Sequence, residues 1–338
     1  MLENNGIGFY AGHPIDDPDA LVRIDLPMPE PRTHDLVVKV SAVSVNPVDA
    51  KMRQTAKASS SPRILGFDAV GTVTAMGDGV RGFHIGDRVL YAGTSRRRGS
   101  NQRFQAVDYR IVARAPQAMS DVDLAAIPLV GLTAWELLFE KMAFIPEQGA
   151  NAGKTLLVIN GAGGVGSVMT QLAKWSGLTV LATASPKNFP WLRARGVDCR
   201  IDYHDDIAQE IHEQGYESVE GIAILYAPEP YLALAGQLIA PFGHIGSIVQ
   251  PTQPLDVGAL KNKAASLDFE YMFAKTDNHH ALASQGAILT RLVALYADGT
   301  LQSSVTKVLP ALTVETLRRV TKEVESGHVQ GKIVLKQS

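Results

Sequence analysis

The chain has 338 residues, of which 46% are hydrophobic and 20% charged, and its formal net charge is −2. This balance lacks the basic excess of a nucleic-acid-binding protein, and no apolar run reaches the roughly 18 residues that a membrane span needs. The single cysteine, Cys199, excludes an intrachain disulfide and favours a reducing, cytoplasmic location. The length suits two domains, and the N-terminal residues predict no signal peptide.

The first part of the chain, up to about residue 125, has the pattern of a β-rich domain. Short apolar stretches alternate there with turns that are dense in glycine, such as Met76–Val80 and Gly86–Asp87. The strands predicted in this part are Leu36–Val45, Ala69–Ala75 and Arg88–Tyr91.

From about residue 126 to residue 275 the pattern changes to alternating strands and helices. The predicted strands are Leu156–Ile159, Val180–Thr183, Cys199–Asp202, Gly221–Leu225 and Gly243–Val249. The predicted helices are Gly164–Trp175, Phe189–Arg195, Ile207–Glu213 and Tyr231–Ile239. Such alternation predicts an α/β fold, a doubly wound parallel sheet with helices on both faces. In the strand that begins at Cys199 we expect a buried, inert thiol.

The last part of the chain mixes the two patterns. Its predicted elements are a helix at Ala281–Ala297, a strand at Val305–Leu309, a helix at Val314–Ser326 and a strand at Lys332–Leu335. We expect these strands to return to the β-rich domain, which makes that domain discontinuous. The predicted domains are therefore residues 1–125 with 276–338, and residues 126–275.

A glycine-rich turn follows the strand Leu156–Ile159 and precedes the predicted helix Gly164–Trp175. Its spacing, Gly161-x-Gly163-x-x-Gly166, is that of a dinucleotide-binding turn, in which the helix directs free N–H groups at a pyrophosphate. A bare glycine cluster also occurs in ordinary turns, but here both the strand and the helix are present. The candidate cofactor-binding residues of this turn are Gly161, Gly163, Gly164, Val165 and Gly166.

The second strand of this unit indicates which dinucleotide is bound. NAD-binding units carry an acidic residue about 20 positions after the first glycine, where it binds the ribose 2′-OH. This chain has Ser185 and Lys187 after the strand, and no acid before Asp198. A hydroxyl and a cation favour a 2′-phosphate, so we predict NADPH. The alternative is that Lys187 lies at a solvated helix start.

Several motifs resemble the medium-chain dehydrogenase/reductase superfamily, in particular its quinone oxidoreductase branch. The matching stretches are Val45–Asp49, Gly66–Val73, Met76–Val80, Gly86–Val89, Ala125–Ala134 and Gly331–Leu335. They span nearly the whole chain in the order that the family has. The resemblance implies a Rossmann domain that binds NADP, a split GroES-like β-rich catalytic domain, a substrate cleft between them and a homodimer.

Relatives in this superfamily that use catalytic zinc hold it with cysteine, histidine or carboxylate ligands. At the positions that the resemblance aligns with those ligands, this chain has Asn46, Phe67 and Leu129. The structural zinc lobe of such relatives needs four cysteines, and this chain has one. We therefore predict no metal, although proteins of this type are often named zinc-type alcohol dehydrogenase-like.

The predicted loss of zinc limits the chemistry, because zinc stabilises the alkoxide in alcohol dehydrogenation. Hydride transfer then suits quinones or α,β-unsaturated carbonyls, whose reduced forms are already stabilised. By resemblance Asn46 lies beside the nicotinamide, but an Asx turn before Pro47 is equally compatible with the local sequence. Thr133 by resemblance contacts the nicotinamide end, with a helix N-cap as the alternative. Tyr91 is a third catalytic candidate, for which packing within a strand is the alternative.

Further cofactor contacts come from the same resemblance. Tyr203 corresponds to a tyrosine near the 2′-phosphate, and the ends of later strands line the nicotinamide pocket. The residues concerned are Tyr226, Ser247 and Ile248, and Lys332 corresponds to a common lysine of the last strand. The run Arg96–Arg98 indicates either a preference for anionic substrates or a solvated loop.

Two classes of function fit the sequence. The first is a zinc-independent, NADPH-dependent oxidoreductase that reduces a small-molecule quinone or enone. The second is an NADPH-binding redox sensor or structural protein without turnover, because a fold does not determine a function. Neither reading involves nucleic acid or a membrane.

Overall fold

The computed structural model describes residues 3–337 of the chain. Its strands are β1 Asn4–Gly8, β2 Val22–Leu26, β3 Asp35–Ser44, β4 Ala69–Met76, β5 Arg88–Tyr91, β6 Phe104–Asp108, β7 Ala113–Arg114, β8 Thr155–Ile159, β9 Thr179–Ala184, β10 Cys199–Asp202, β11 Val219–Ile224, β12 Ile239–Ser247, β13 Ser266–Phe269, β14 Val305–Leu309 and β15 Lys332–Lys336.

The α-helices are α1 Pro47–Gln54, α2 Asp121–Ala125, α3 Pro128–Trp135, α4 Gly164–Trp175, α5 Phe189–Ala194, α6 Ile207–Glu213, α7 Leu232–Leu238, α8 Gly258–Lys261, α9 Ala274–Asp277, α10 Leu282–Ala297 and α11 Val314–Glu325. Short 3₁₀ helices cover Pro18–Ala20, Tyr109–Ile111 and Pro186–Asn188, and a π-helix covers Glu136–Lys141. None of the helices within residues 3–337 combines the length and the apolar character that crossing a bilayer requires.

The chain divides into two compact units. Within the described residues, the first unit comprises 3–129, 273–299 and 303–337, and the second comprises 130–272 and 300–302. The first unit is the β-rich, GroES-like part of the chain, and the second is an α/β unit.

Strand β3 is the centre of the main sheet of the first unit. It pairs antiparallel with β4, β6 and β15, and the sheet has the order β14-β15-β3-β4-β5-β7. Valine, which favours strands because its branched side chain fits a pleated surface, occupies four of its ten positions. Its buried side chains form one core with those of other strands and of α11, where Leu317 and Val320 contribute.

The last strand of the chain, β15, lies inside this sheet and not at its edge. It runs parallel to β14 on one side and antiparallel to β3 on the other. The strand predicted at Lys332–Leu335 is confirmed, with one further residue. Residues from the C-terminal end of the chain therefore complete a sheet whose other strands come almost entirely from the first 114 residues.

The second unit contains a six-stranded parallel sheet with the order β10-β9-β8-β11-β12-β13. Numbered from its first strand, this is the order 3-2-1-4-5-6 of the Rossmann fold, as predicted. Strands β8, β9 and β11 are buried along almost their whole length, which is typical of a sheet covered on both faces. Because parallel strands end at the same edge, the residues after β8, β9, β10, β11 and β12 share one side of the sheet.

Helix α4 has the bounds that its amphipathic pattern predicts. It begins after Gly163 and buries eight consecutive residues, from Gly166 to Ala173. It ends before Gly177, whose φ of 97° is one that L-residues with a side chain rarely adopt. Helix α6 and the strands β5, β10 and β14 also have their predicted bounds.

One expectation about the second unit is wrong. Cys199 is half-buried, not fully buried, since its strand β10 lies at the edge of the sheet. Partial burial, the largest cause, raises the pKa of its thiol. A raised thiol pKa lowers the thiolate fraction, so the expected low reactivity has a physical basis even without full burial.

Candidate functional site

The glycine turn of the second unit is built so that helix α4 approaches strand β8 closely. A Cβ atom on Gly166 would lie 2.4 Å from the carbonyl oxygen of Asn160 and 2.6 Å from that of Gly161. A Cβ on Gly161 would lie 2.7 Å from the Cβ of Ala182, on the neighbouring strand β9. Both glycines are therefore required by packing. A Cβ on Gly163 would lie 3.2 Å from the side-chain Nδ2 of Asn160 and 3.5 Å from its backbone oxygen.

The first turn of α4 leaves backbone donors free. The amides of Gly164, Val165 and Gly166 are the first three of the helix and have no partner within it. They make no other hydrogen bond in residues 3–337, and the N-cap residue, Gly163, has no side chain that could cap them. Three N–H groups and the positive end of the helix dipole form a site for an anion such as a pyrophosphate.

The carboxyl end of β9 carries a hydroxyl and a cation. Ser185 directly follows the strand, is half-buried and makes no side-chain capping bond, while Lys187 is exposed. Neither side chain has a polar partner among the described residues. The first acid after them, Asp198, accepts bonds from Lys174 Nζ at 2.8 Å and from the backbone N–H of Val180 at 2.7 Å. Val180 is near the beginning of β9, so this carboxylate lies toward the opposite end of the strand from Ser185.

Of the two arginines at the end of α5, Arg193 within it and Arg195 directly after it, only one is exposed. The guanidinium of Arg195 lies 3.1 Å from the ring centroid of Trp191 and is 6% exposed, whereas Arg193 is exposed. Tyr203 follows β10, is 39% exposed and contacts the ring of His204, with 4.1 Å between ring centroids. Its position at the carboxyl edge of the sheet is compatible with the predicted contact to a 2′-phosphate.

The remaining candidates of the second unit differ in exposure. Tyr226 follows β11 and is 54% exposed, while Ser247 ends β12 and is fully buried, with Ile248 half-buried after it. Thr133 lies inside α3 and is 6% exposed. The alternative of an N-cap role for Thr133 is wrong, because five helical residues precede it.

The first unit contains a buried charge cluster, formed by Ser44, Asn46, Asp49, Asp68 and Lys332. At its centre Asp68 is fully buried, and Lys332 is 3% exposed. The Nζ atom of Lys332 lies 3.0 Å from Asp68 Oδ2 and also donates to Asn46 Oδ1. Asn46 Nδ2 donates to Asp68 Oδ2 at 2.8 Å. Two buried opposite charges are thus paired and hydrogen-bonded, as burial of a charge requires.

Further donors complete the environment of Asp68. Ser44 Oγ donates to its Oδ2 at 2.5 Å, and the backbone N–H of Leu129 donates to its Oδ1 at 2.7 Å. Four groups therefore bind one carboxylate, and they come from β3, the residue before α1, β15 and the beginning of α3. The predicted residues Asn46 and Lys332 lie together here, whereas Asp68 was not among the predicted site residues.

The orientation of the Asn46 amide follows from this cluster. Its oxygen faces the Lys332 ammonium, which can only donate, and its nitrogen faces the Asp68 carboxylate. Asn46 also has a local role as the N-cap of α1, because its backbone N–H donates to Asp49 Oδ2 at 2.9 Å, as in a capping box. One of the two N–H bonds of the Asn46 amide is left without a partner in the described part of the chain.

Tyr91, the third catalytic candidate, ends β5 and is 1% exposed. Its ring belongs to the apolar core of the first unit, and its hydroxyl has no hydrogen-bond partner among residues 3–337. Burial raises its pKa, so the phenol keeps its proton at any physiological pH. This position favours the packing role over a catalytic one.

Comparison with known proteins supplies the family. The chain matches the models of an alcohol dehydrogenase GroES-like domain over residues 32–117 and of a zinc-binding dehydrogenase over residues 195–335. It is 36% identical to the zinc-type alcohol dehydrogenase-like protein of Staphylococcus epidermidis, over 97% of this chain and 98% of that relative. The chain belongs to the zinc-type alcohol dehydrogenase-like proteins, within the medium-chain dehydrogenase/reductase superfamily. It is therefore an oxidoreductase by family.

The chain is also similar to two proteins whose names describe an oxidoreductase activity. The solved quinone oxidoreductase of Coxiella burnetii is 25% identical and has a TM-score of 0.83, covering 100% of both chains. The chloroplastic NADPH-dependent alkenal/one oxidoreductase of Arabidopsis thaliana is 32% identical over 64% of this chain and 58% of that relative.

The zinc in the family name does not fit the residues of this chain. Phe67, aligned with a histidine ligand, is 1% exposed and packs edge-on against Phe273 at 4.7 Å. Asn46 is bound to the Lys332 ammonium, which places a positive charge beside the position of one expected ligand. No group of three or more His, Cys, Asp or Glu side chains that could hold a metal occurs in residues 3–337. This donor set does not provide a zinc site.

Asp49 connects the cluster to the backbone, and its carboxyl has a pKa that lies within the pH range of ordinary stability measurements. The N–H groups of Asn46 and Gly66 each donate to one of its oxygens at 2.9 Å. Burial above all, with a smaller contribution from the charge of Asp68, raises its pKa from 3.8 to about 7, although the hydrogen bond from the Asn46 N–H and the charge of Lys332 oppose the shift. Between pH 3.8 and about pH 7, the Asp49 carboxyl therefore keeps its proton in the folded protein and loses it in the unfolded chain.

We expect the first unit to lose stability as the pH rises from about 4 to about 7. Since the folded state binds the extra proton, the free energy of unfolding falls by up to about 1.4 kcal/mol per pH unit in this window and is constant above it. Urea unfolding of the wild type and of Asp49→Asn across this range measures the slope. Parallel curves for the two proteins would contradict the assignment, because the variant has no carboxyl to titrate.

Proposed function

We propose that this protein is an NADPH-dependent, zinc-independent reductase of quinones or α,β-unsaturated carbonyls. The observation that carries the proposal is a dinucleotide-binding turn in one unit together with a buried lysine–aspartate pair in the other, where Asn46 and Phe67 stand at the positions of zinc ligands. A bound nicotinamide supplies a hydride. The residues of the chain then have to bind and orient the cofactor and receive the acceptor in a site that lacks a metal Lewis acid.

The support for NADPH lies at the carboxyl edge of the parallel sheet. The free amides of Gly164, Val165 and Gly166 suit the pyrophosphate, which both nicotinamide dinucleotides contain. Ser185 and Lys187 distinguish them, because a hydroxyl and an ammonium can bind a 2′-phosphate. Asp198, the first acid after β9, is bound by Lys174 and by the backbone of Val180 and is therefore not available to a free 2′-OH.

The support for the acceptor class comes from the negative charge that develops on the acceptor when it receives a hydride. Reduction of a simple carbonyl develops a localised alkoxide, which needs a strong electrostatic stabiliser such as zinc. Reduction of a quinone or an enone delocalises the charge over a conjugated system, so a weaker donor suffices. The relatives named as an alkenal/one oxidoreductase and a quinone oxidoreductase act on these two classes according to their names.

We assign the oxyanion donor to Asn46. Lys332 and Asp68 fix its amide, and the remaining N–H is the group that can face an acceptor oxygen. Thr133 is assigned to the nicotinamide end, as the resemblance implies. We also propose that the enzyme is a cytoplasmic homodimer. Light scattering coupled to size-exclusion chromatography measures the molar mass and so tests whether it is a dimer.

The experiment is cofactor oxidation with a panel of quinones and enones, followed by the absorbance of the reduced nicotinamide and run in parallel with NADH. Turnover of either acceptor class with NADPH is expected, and the acceptor that is turned over identifies the chemistry. Tight NADPH binding without turnover of any acceptor would instead support a redox sensor. Turnover with saturated aldehydes alone would exclude the proposed acceptor class.

Lys187→Glu tests the cofactor assignment. We expect its affinity for NADPH to fall by about tenfold or more and its affinity for NADH to change little, since only the 2′-phosphate faces the new charge. Titration of cofactor fluorescence measures both. Lys261→Glu is the matched control, because Lys261 is an exposed lysine of the same unit, at the end of α8. Equal losses for NADPH and NADH in Lys187→Glu would defeat the assignment.

Metal removal tests the zinc-free chemistry. We expect prolonged dialysis against a chelator to leave the rate of the reductase unchanged, because the residues at the aligned ligand positions cannot bind zinc. Elemental analysis of the purified protein provides the second measurement. One equivalent of zinc per chain, together with a rate that falls on its removal, would overturn this part of the proposal.

A further inference from the structure

A cavity in the first unit lies between two loops that the proposed reaction does not use. Its volume is about 300 Å³, at the lower end of the range for sites that bind small organic molecules. Four of its ten lining residues are arginines, and one is an acid. The lining residues are Asn4, Pro27, Pro29, Glu30, Arg32, Arg96, Arg97, Arg98, Gln102 and Ala106.

A buried carboxylate brings the two loops together. Asp35, 2% exposed at the beginning of β3, accepts two bonds from the guanidinium of Arg97, each of 2.7 Å. The same carboxylate accepts the backbone N–H of Arg32 at 3.1 Å. One anionic group therefore holds the loop of Arg32 and the loop of Arg97 in a fixed relation, and the bidentate geometry makes the contact directional.

The backbone beside Arg98 is also fixed. Its carbonyl oxygen accepts from Gln105 Nε2 at 3.0 Å, and that of Gly99 accepts from Gln102 Nε2 at 2.7 Å. The N–H of Gly99 donates to the carbonyl of Ile64 at 2.8 Å. Hydrogen bonds to β6 and to neighbouring loops thus hold the wall of the cavity that contains Arg98. Because this wall is already ordered, it loses little conformational entropy when a ligand binds.

The positive charge of the cavity is only partly compensated. Asp35 neutralises Arg97, and Arg96 has an ion pair with Asp277 at 3.5 Å while 68% of its side chain is exposed. The guanidinium groups of Arg32 and Arg98 make no hydrogen bond or ion pair within residues 3–337. Glu30, the single acid of the lining, has no ion pair with either of them.

We propose that this cavity is a binding site for the phosphate group of a small phosphorylated molecule. Arg32 and Arg98 supply the free guanidinium donors, and Arg97, fixed by Asp35, supplies the wall between them. This site is formed by the first unit alone, so the proposal does not depend on the cofactor or on the acceptor proposed above.

The number and type of the cations favour phosphate over a carboxylate. A guanidinium donates two parallel N–H bonds to a pair of oxygens, and a tetrahedral phosphate offers such pairs in several directions. A carboxylate offers one pair of oxygens and one charge, which a single arginine satisfies. Two free arginines from separate loops, with a third beside them, therefore suit a doubly charged tetrahedral anion better.

Calorimetric titration of the wild type with inorganic phosphate, at constant ionic strength, tests the proposal. We expect saturable binding that sulfate competes for and that acetate does not. Arg32→Gln and Arg98→Gln should each weaken it by about tenfold, the effect of losing a charge-assisted pair, and the double variant should abolish it. Both arginines are exposed, so these variants are expected to fold, and thermal unfolding checks this.

Two matched variants separate this site from general attraction to charge and from the dinucleotide turn. Arg319→Gln removes the same charge from an exposed position of α11, and Lys187→Gln removes the cation after β9. Arg319→Gln should bind phosphate as the wild type does, and Lys187→Gln should keep the binding that Arg32→Gln and Arg98→Gln weaken. The proposal is overturned if phosphate does not saturate, if the double variant keeps its affinity, if Arg319→Gln loses as much, or if Lys187→Gln alone abolishes binding.

Discussion

Gly166→Ala is expected to destabilise the second unit and to remove most of its affinity for a dinucleotide. The added Cβ would lie 2.4 Å from one backbone oxygen and 2.6 Å from another, and neither atom can move without displacing the turn or helix α4. Overpacking of this kind costs about 1–3 kcal/mol and occasionally more. The three tryptophans, at positions 135, 175 and 191, all lie in the second unit, so urea unfolding followed by tryptophan fluorescence measures the change there.

Gly163→Ala is the matched control for this variant. Its added Cβ would lie 3.2 Å from the side-chain Nδ2 of Asn160, which can shift slightly, and 3.5 Å, an ordinary contact distance, from the backbone oxygen of the same residue, so the free energy of unfolding should change little. Its affinity for NADPH should nevertheless fall, because the second glycine of such a turn leaves room for the pyrophosphate against the backbone. If Gly166→Ala were as stable as Gly163→Ala, close packing of α4 on the turn would not be what requires a glycine at position 166.

Lys332→Met is expected to destabilise the first unit by about 3–5 kcal/mol. Methionine has a similar length but leaves the fully buried Asp68 without its cation, and breaking a buried pair in this way costs that order of free energy. Hydrogen exchange of the β15 amides measures the loss within the first unit. The second unit, followed by tryptophan fluorescence, should keep its stability.

Two further variants separate the effect of the unpaired Asp68 charge from the effect of changed packing. Lys307→Met removes the same group from an exposed pair with Glu323, in which the two side chains are 43% and 38% exposed, so a change within about 1 kcal/mol is expected. Adding Asp68→Asn to Lys332→Met should restore part of the loss, because the uncompensated charge is then gone. A double variant less stable than Lys332→Met would show that packing, and not charge, explains the effect.

The parts of the fold that the sequence predicted well are those with strong local signals. Helix α4 was predicted with its observed bounds, since a glycine turn begins it, an apolar face runs along it and Gly177 follows it. The strands β5 and β14 were predicted to the residue as well. Periodicity and turn residues are local properties of a chain, so they can be read without knowledge of its tertiary contacts.

Two elements of the second unit were misjudged because their stability is not local. Strand β12 begins at Ile239 and not at Gly243, and it contains Pro241 and Phe242, whose φ is 63°. Pairing with β11, with a shift of register between Val219 and Gly221, accommodates these unfavourable residues. The helix α3 was not predicted, because it is apolar on all sides and has no amphipathic period.

The buried charge cluster was likewise predicted only in part, because its contacts are tertiary. Asn46 and Lys332 were named from the family resemblance, but Asp68, which binds both, was not. A signal was present: Asp68 and Lys332 are opposite charges within otherwise apolar segments, Gly66–Val73 and Gly331–Leu335. Two such charges suggest a buried pair, but 264 residues separate them, so their contact depends on the sheet that brings β15 beside β3.

The placement of β15 has a consequence for synthesis on the ribosome. At about 5–20 residues per second, the chain reaches β15 roughly 10–40 seconds after it has completed residue 129. Until then the nascent first unit exposes an edge of β3, and Asp68 has no cation beside it. The second unit is almost continuous in sequence and can fold while the first still waits. A stop codon before residue 332 should therefore yield an aggregation-prone first unit beside a folded second one.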